Sequence, residues 1–356
     1  MDFSIASILA LDGVTNGAIY ALLALATVLV FAITRIIFIG QGDFVAYGAI
    51  TLAILQNGNP VGSFWHRHGD MPGTVWLLLV VAVIAAVVAA VRGSRRGLPG
   101  AQLAKDAVTT LAVPLAVFAV AWFAGPREWP MWAQSLFVLA VVTPLGPLIY
   151  RLAYEPLADA SVLVLLIVSV GVHFALTGMG LLFFGAEGFR NPSFWDERFQ
   201  FGPVTVSGQA FIIFIASIAL MSALFVFFEL TLRGKALRAT AVNRLGARLM
   251  GISTSGAGKL TLGLAAFMGA LSGLLIGPTA TIFYDSGFII GLKGFVAAIF
   301  GGLASYPAAA LGAIFVGVLE SFGSFWASAF KEVIVFTVII PVLLWRSFLH
   351  GHDDEE

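Results

Sequence analysis

Ten stretches of this chain run without a single Asp, Glu, Lys or Arg: residues 13–34, 44–66, 71–91, 107–126, 129–150, 160–186, 199–228, 260–284, 294–319 and 333–345. A membrane-crossing helix needs about 20 predominantly apolar residues. The pattern therefore predicts an all-α polytopic membrane protein of about ten transmembrane helices, within a range of about nine to eleven. A further apolar piece, 321–330, joins the ninth stretch to the tenth across Glu320. Only 11% of the residues are charged, against roughly 25% in an average soluble domain. That excludes a soluble enzyme, a nucleic-acid binder and a disordered scaffold. The chain has no cysteine, which removes disulfides, thiolate metal sites and cysteine nucleophiles. Residues 1–356 read as one transmembrane domain.

The charges that remain set an expected orientation. Residues 231–259 hold Arg233, Lys235, Arg238, Arg244, Arg248 and Lys259 without an acid, and 92–105 hold Arg92, Arg95, Arg96 and Lys105 without an acid. Positive loops stay in the cytoplasm, so both are expected there. The mixed loop 185–200 then falls outside, and the C-terminus, HGHDDEE, inside. Counting back leaves the N-terminus open, because 36–56 reads either as a full span or as a re-entrant piece. The opening MDFSIASILALDG carries Asp2 and Asp12 but no basic residue, so it is expected to be retained rather than removed as a signal peptide.

Within the apolar stretches, Gly301-Gly302 and Pro307 predict a break in 294–319. Broken backbone at membrane depth survives only where it is buried in protein or lines a cavity. Asp43, His173, Glu229, Lys293 and Glu320 are the ionisable residues set among apolar neighbours. Such groups are costly in lipid and point to function by default. Glu229 adjoins the basic loop and is expected at the interface, and His173 can be neutral and hydrogen-bonded. Glu320 reads equally as a structural or a functional group. Gly269, Gly273 and Gly277 repeat every four residues; small residues so spaced let helix backbones approach closely, within the chain or across a subunit interface.

The segment Gly251–Lys259 glances toward a phosphate-cradling loop, but Ser253 and Leu260 stand where that motif needs Gly and Ser/Thr. It reads as a joint before the next helix. Leu232, Ala236, Ala239, Val242, Leu245, Leu249 and Ile252 recur at helical spacing, with Arg238, Asn243, Arg244 and Arg248 largely off that stripe. This is an amphipathic helix, serving either as an anchor on anionic lipid or as a dock for a cytoplasmic partner. His66-Arg67-His68 and His350–Asp354 lack a closed metal-ligand set. No catalytic constellation is present in the sequence.

These pieces together resemble the permease subunits of bacterial ABC importers for branched-chain amino acids, the Liv type, and their relatives for urea and small amides. Asn16-Gly17-Ala18-Ile19-Tyr20-Ala21-Leu22 is similar to the family's opening motif. Gln41-Gly42-Asp43-Phe44 with Gly48-Ala49 resembles its Q/H-G-E-F…G-A stretch, with Phe38-Ile39-Gly40 standing where Asn-Phe-Ala is usual. Tyr154-Glu155-Pro156-Leu157 resembles Y-R-P-L with Glu for Arg. Gly234–Ala239 followed by Asn243, Ala247 and Gly251-Ile252 is the most specific match. Phe295–Ala298 with Gly301-Gly302 and Ser305, then Gly317 and Glu320, follow the late pattern. The family commonly has one span between 57–73 and Tyr154. This chain has three candidates there, which predicts an extra helical hairpin within 71–126.

The resemblance implies the roles. Arg238, Ala239, Asn243, Arg244, Gly246, Ala247, Gly251 and Ile252 would couple to an ATPase. The glycine-broken segments 38–48 and 291–307, with the ionisable positions, make Phe38, Gln41, Asp43, Lys293, Phe295, Ala298 and Glu320 candidates for the translocation path, and the four-residue spacing makes Gly269, Gly273 and Gly277 candidates for helix packing. The partners implied are a second homologous permease subunit, in a heterodimer rather than a homodimer, two cytoplasmic ATPases, a periplasmic solute-binding protein and membrane lipid, with no nucleic acid. ATP and Mg would sit on the ATPases, and this chain would bind no cofactor or metal and catalyse no reaction. The expected location is the bacterial inner membrane. The expected solute is a branched-chain or other hydrophobic amino acid, with an aromatic carboxylate, urea or amide as the related choices. Two rivals follow from the same residues: an ion-gradient-driven carrier using Asp43, Lys293 and Glu320, and a passive channel.

Overall fold

The computed structural model describes residues 3–58, 71–202, 204–303 and 305–350. Helix α1 spans Phe3–Thr34. At 1.5 Å per residue it is about 48 Å long, more than the about 30 Å hydrocarbon core needs. Thr27 and Thr34 keep their hydroxyls satisfied by donating to the carbonyls of Leu23 and Val30 at 2.9 and 2.6 Å. The helix stops at Arg35, whose φ is +61°. A 3-10 turn, Ile39–Gln41, leads into α2, Asp43–Asn57. Every residue of α2 from Asp43 to Leu55 is buried, as expected of a helix apolar on all sides.

Helices α3, Gly73–Arg95, and α4, Gly100–Phe123, form a hairpin whose turn carries the basic residues and Gly97 at φ +71°. Then come α5, Met131–Val142, and α6, Leu145–Ile149, separated at Pro144 and followed by a π-helical turn, Tyr150–Tyr154. Helix α7 is Val162–Phe184. Strands β1, Arg198–Phe201, and β2, Val204–Ser207, pair antiparallel, with Arg198 opposite Ser207. Helix α8 is Gly208–Leu230, α9 Leu232–Val242, α10 Arg244–Leu249 and α11 Thr254–Ile276. The chain continues through α12, Ser286–Phe300, α13, Tyr306–Ala327, α14, Lys331–Thr337, and α15, Ile339–His350.

Among the described residues eight helical stretches are long and apolar enough to cross a membrane. The all-α polytopic class expected from the sequence is therefore what the chain adopts, and the figure of ten is approximate. Helices α2 and α12 have only 15 residues each, short of the about 20 of a full crossing. Helix α14 folds back along α13, with Ile334 against Gly323. The small β-hairpin is an addition that alternation too short to register did not announce. The break expected in 294–319 falls after α12, where Gly302 and Leu303 both take positive φ, and Ser305 caps α13 by accepting from the amide of Ala308.

Helices α1, α2, α11, α12 and α13 form the centre. Glycine sets their spacing. A Cβ on Gly13 or Gly17 would overlap the α13 backbone at Val318 or Ile314, and one on Gly42 would overlap the Gly287 carbonyl. Around this centre lie α3, α4, α7 and α8, whose outward side chains include Trp122, Phe174, Leu182 and Phe225. Such residues suit contact with lipid tails rather than water. The bundle has two unlike ends. One gathers the basic turn at 92–97, residues 151–159 and α9–α10; the other gathers the β-hairpin, residues 187–191 and the loop 277–285, joined by the bridge between Phe189 and Ile282.

Candidate functional site

A cavity of about 920 Å³ opens at the hairpin end, between α1, α8, α12, α13, α14 and β2. Ion-paired groups form part of its lining. Lys293 Nζ donates to Glu320 Oε1 at 2.6 Å and to Glu332 Oε1 at 3.1 Å. Tyr20 donates its hydroxyl to Glu320 Oε2 at 2.6 Å, and its ring lies 5.7 Å from the Lys293 ammonium. Gly13, Gly17 and Gly317 bring the antiparallel helices α1 and α13 into backbone contact, close enough for the side chains of Tyr20 and Glu320 to bridge them. Lys293 is 4% exposed and Glu320 8%. Burying an ion costs several kcal/mol unless a partner with good geometry offsets it. Glu320 has both oxygens engaged. Glu332 has one, and its Oε2 is buried without a partner.

A second ionisable pair lies in the packed interior. His173 Nδ1 is 3.0 and 2.9 Å from the two carboxylate oxygens of Asp43. Asp43 opens α2, where the positive end of the helix favours a carboxylate. The His173 ring stacks on Phe288 at 4.8 Å. Together with the hydroxyl of Tyr47, which donates to the carbonyl of Leu176 at 2.6 Å, this pair ties α7 to α2.

The expected path residues separate into two groups. Lys293 and Glu320 line the cavity. Phe38, Gln41, Asp43 and Ala298 are buried in packing, and Phe295 is half-buried. Phe38 lies edge-on to Tyr154 at 6.0 Å, and Gln41 donates to the carbonyl of Ala265 at 2.9 Å. The segments around Gly42 and Gly287–Gly291 touch backbone to backbone, so no passage separates them. Gly269, Gly273 and Gly277 face Phe44, the Val45 carbonyl and Asn191 of the same chain. Their close approaches are intramolecular.

At the basic end, the amphipathic stripe read along 232–252 divides at Asn243 into two helices. Asn243 ends α9 and caps α10 by accepting from the amide of Gly246 at 2.8 Å. Gly251, at φ +81°, closes α10, and the amide of Ile252 returns to the carbonyl of Ala247 at 2.9 Å. Leu237 and Ala247 face inward, while Leu232, Val242, Leu245 and Leu249 are 86, 87, 67 and 80% exposed. Arg238 pairs with Glu229 at 2.5 Å and Ala239 is exposed beside it. Arg244 donates to the Ala158 carbonyl at 2.8 Å, Arg248 pairs with Asp159 at 3.1 Å, and Lys259 pairs with Glu155 at 3.0 Å. The segment after the π-helical turn thus holds the α9–α10 unit in place. Arg151, at that turn, reaches Thr110 and Asp106 of α4.

Two residues of the ion-paired cluster escaped the sequence reading. Tyr20 was visible only as part of a motif, and Glu332 sat unnoticed in the charged gap between 321–330 and 333–345. The available signal was that a buried Lys293 needs carboxylates. His66-Arg67-His68 and residues 351–354 lie outside the described residues.

A family model for the permease component of the branched-chain amino acid transport system matches residues 9–94 and 100–343. The high-affinity branched-chain amino acid transport system permease protein BraD of Pseudomonas aeruginosa is 29% identical over 256 residues, covering 69% of this chain and 80% of BraD. LivH of Salmonella typhimurium, a permease protein of the same description, is 30% identical over 219 residues, covering 60% of this chain and 71% of LivH. One chain of PsaBC from Streptococcus pneumoniae, solved in complex with Fab, overlays 94% of this chain and 90% of its own length at 10% identity and a TM-score of 0.36.

Proposed function

Because the chain belongs to the family of permease components of branched-chain amino acid transport systems, we propose that it is the membrane subunit of an ATP-driven importer in a bacterial inner membrane. Its cargo is a branched-chain or other hydrophobic amino acid, or a related small organic solute. Two cytoplasmic ATPases bind and hydrolyse ATP with Mg, a second homologous permease subunit pairs with this one, and a periplasmic binding protein delivers the solute. The basic end faces the cytoplasm, which sets the cavity mouth and the N-terminus outside and the C-terminus inside. The α3–α4 hairpin is an addition to the family's usual span set, braced on the π-helical turn by Arg151.

The observation that carries this reading is the α9–α10 unit. It is free of acids, its backbone is capped at both joints, and it turns apolar side chains outward at the end where a partner would dock. A lone lipid anchor would not need the polar network to residues 155–159. Gly246→Trp and Arg238→Glu abolish co-purification of the ATPase while membrane insertion is unchanged; normal co-purification of both variants refutes the docking role. A gradient-driven carrier would show uptake without any ATPase, so the same preparation separates the two. For the path, cysteines introduced at 38, 41, 295 and 298 of this cysteine-free chain react with small polar thiol reagents from one side, those at 38, 41 and 298 only while ATP turns over, since these three sites are buried at rest. Inertness in every state removes those positions from the path.

A further inference from the structure

The turn between α3 and α4, at the basic end, carries charge that the protein itself leaves unmatched. Arg92 is engaged, donating to the carbonyls of Arg151 and Leu152 at 3.4 Å each. Arg95, Arg96 and Lys105 are exposed and have no ion pair or side-chain hydrogen bond to the described residues. The one acid between 92 and 110, Asp106, lies 3.9 Å from Arg151. The basic segment 231–259 differs. There Arg238, Arg248 and Lys259 are paired with acids, and Arg244 is spent on a carbonyl.

The free bases stand at the foot of two apolar faces. On α3 the exposed Val80, Ile84, Val87 and Val91 step by three and four residues down to Arg95. On α4 Lys105 begins a face that continues through the exposed Val108, Leu115 and Trp122. At 1.5 Å per residue Lys105 and Trp122 lie about 26 Å apart, close to the about 30 Å of the hydrocarbon core. Tryptophan favours the membrane–water interface, so Trp122 marks one interface and the bases mark the other. The turn is also fixed in shape. Leu103 fills the space that a Cβ on Gly93 would take, and the amide of Leu98 returns to the Gly93 carbonyl at 3.1 Å with Gly97 at φ +71°. Arg95 and Lys105, each two residues from the Gly93–Leu103 contact, are within about 6 Å in depth.

We propose that the α3–α4 turn is a binding site for one anionic phospholipid, whose phosphate is held by Arg95, Arg96 and Lys105 while its acyl chains lie along the exposed faces of α3 and α4. Arginine grips phosphate through paired N–H groups, and bases at the membrane surface draw negative headgroups. A zwitterionic headgroup brings its own cation and would leave the three bases uncompensated. A soluble acidic protein would match the bases but not the apolar faces that start beside them. Arg92 and Arg151 brace the turn before a lipid arrives, which lowers the ordering cost of binding.

Native mass spectrometry of the full-length chain in detergent tests the site. Phosphatidylglycerol and phosphatidylcholine of equal chain length are added in turn, and one phosphatidylglycerol is retained at concentrations where phosphatidylcholine is not. Arg95→Gln, Arg96→Gln and Lys105→Gln each weaken that retention by about fivefold. Arg248→Gln, the same charge change at a base already paired with Asp159, leaves it unchanged. Phosphatidylglycerol with a diazirine on its acyl chain crosslinks to peptides within 80–122. Equal retention of the two lipids, retention insensitive to all three substitutions, or crosslinks confined to other peptides overturns the proposal. Displacement of the lipid by inorganic phosphate at equal concentration overturns it too, in favour of a free-phosphate site. Loss of ATPase co-purification from the three variants with lipid retention intact assigns the bases to a protein and also overturns it. The lipid measurements need no ATPase, so their outcome is independent of the importer reading.

Discussion

The two ends of this bundle invert the ordinary rules of burial in opposite ways. At the basic end apolar side chains such as Leu232, Val242 and Leu249 face outward. At the hairpin end charges turn inward, and Lys293 and Glu320 are buried beside a cavity. The energetic consequences differ. An exposed apolar side chain costs the fold little, because it was exposed in the unfolded chain too. A buried ion costs several kcal/mol unless its partner is in place. Substitutions at the basic end therefore leave stability nearly untouched, whereas those at the hairpin end reach the integrity of α12, α13 and α14.

If this contrast is right, the largest effect on stability comes from Lys293→Ala. It strands two carboxylates and costs about 3–5 kcal/mol, read as a lower unfolding midpoint in detergent; Lys293→Ala with Glu320→Gln recovers part of the loss. A midpoint equal to that of the parent chain breaks the comparison. Next comes the seam between the ends. Gly42→Ala forces α2 from α12 at Gly287 and costs about 1–3 kcal/mol, as overpacking does, by the same measurement. At the basic end Asn243→Ala removes the cap of α10 and costs about 1 kcal/mol. That loss appears as faster amide exchange confined to 244–249. The smallest shift belongs to Leu245→Ser and Leu249→Ser, within about 0.5 kcal/mol, although ATPase co-purification is lost. A fall in the midpoint comparable to that of Lys293→Ala would show that the basic end also carries the fold.

These two ends also differ in how legible they were. The α9–α10 unit announced itself through five basic residues with no acid between them, and the break after α12 through its paired glycines. Both signals are local. The spacing of Leu232, Val242, Leu245 and Leu249 suggested one continuous stripe, and the structure interrupts it at Asn243, whose side chain bonds the next helix start instead of solvent. The path residues were read from broken segments and from ionisable residues among apolar neighbours. That reading gathered Phe38, Gln41 and Asp43 with Lys293 and Glu320, whereas the fold buries the first three and opens a cavity at the last two. The Asp43–His173 pair joins residues 130 positions apart, and Tyr20 reaches Glu320 across 300. No spacing in the sequence reports such meetings.

Apolar runs of helical length and the clustering of positive charge determined by themselves that this chain crosses a membrane, and they set the orientation proposed for it. Those are properties of composition along a line, and lipid imposes the same demand on each 20-residue stretch independently, since its backbone must satisfy itself. Which charges neutralise one another was decided only by tertiary structure. Glycine contacts between α1 and α13 and between α2 and α12 set how closely the helices cross. A shift of one residue in either crossing would carry Tyr20 or Lys293 about 100° around its helix, away from the carboxylates that make its burial tolerable.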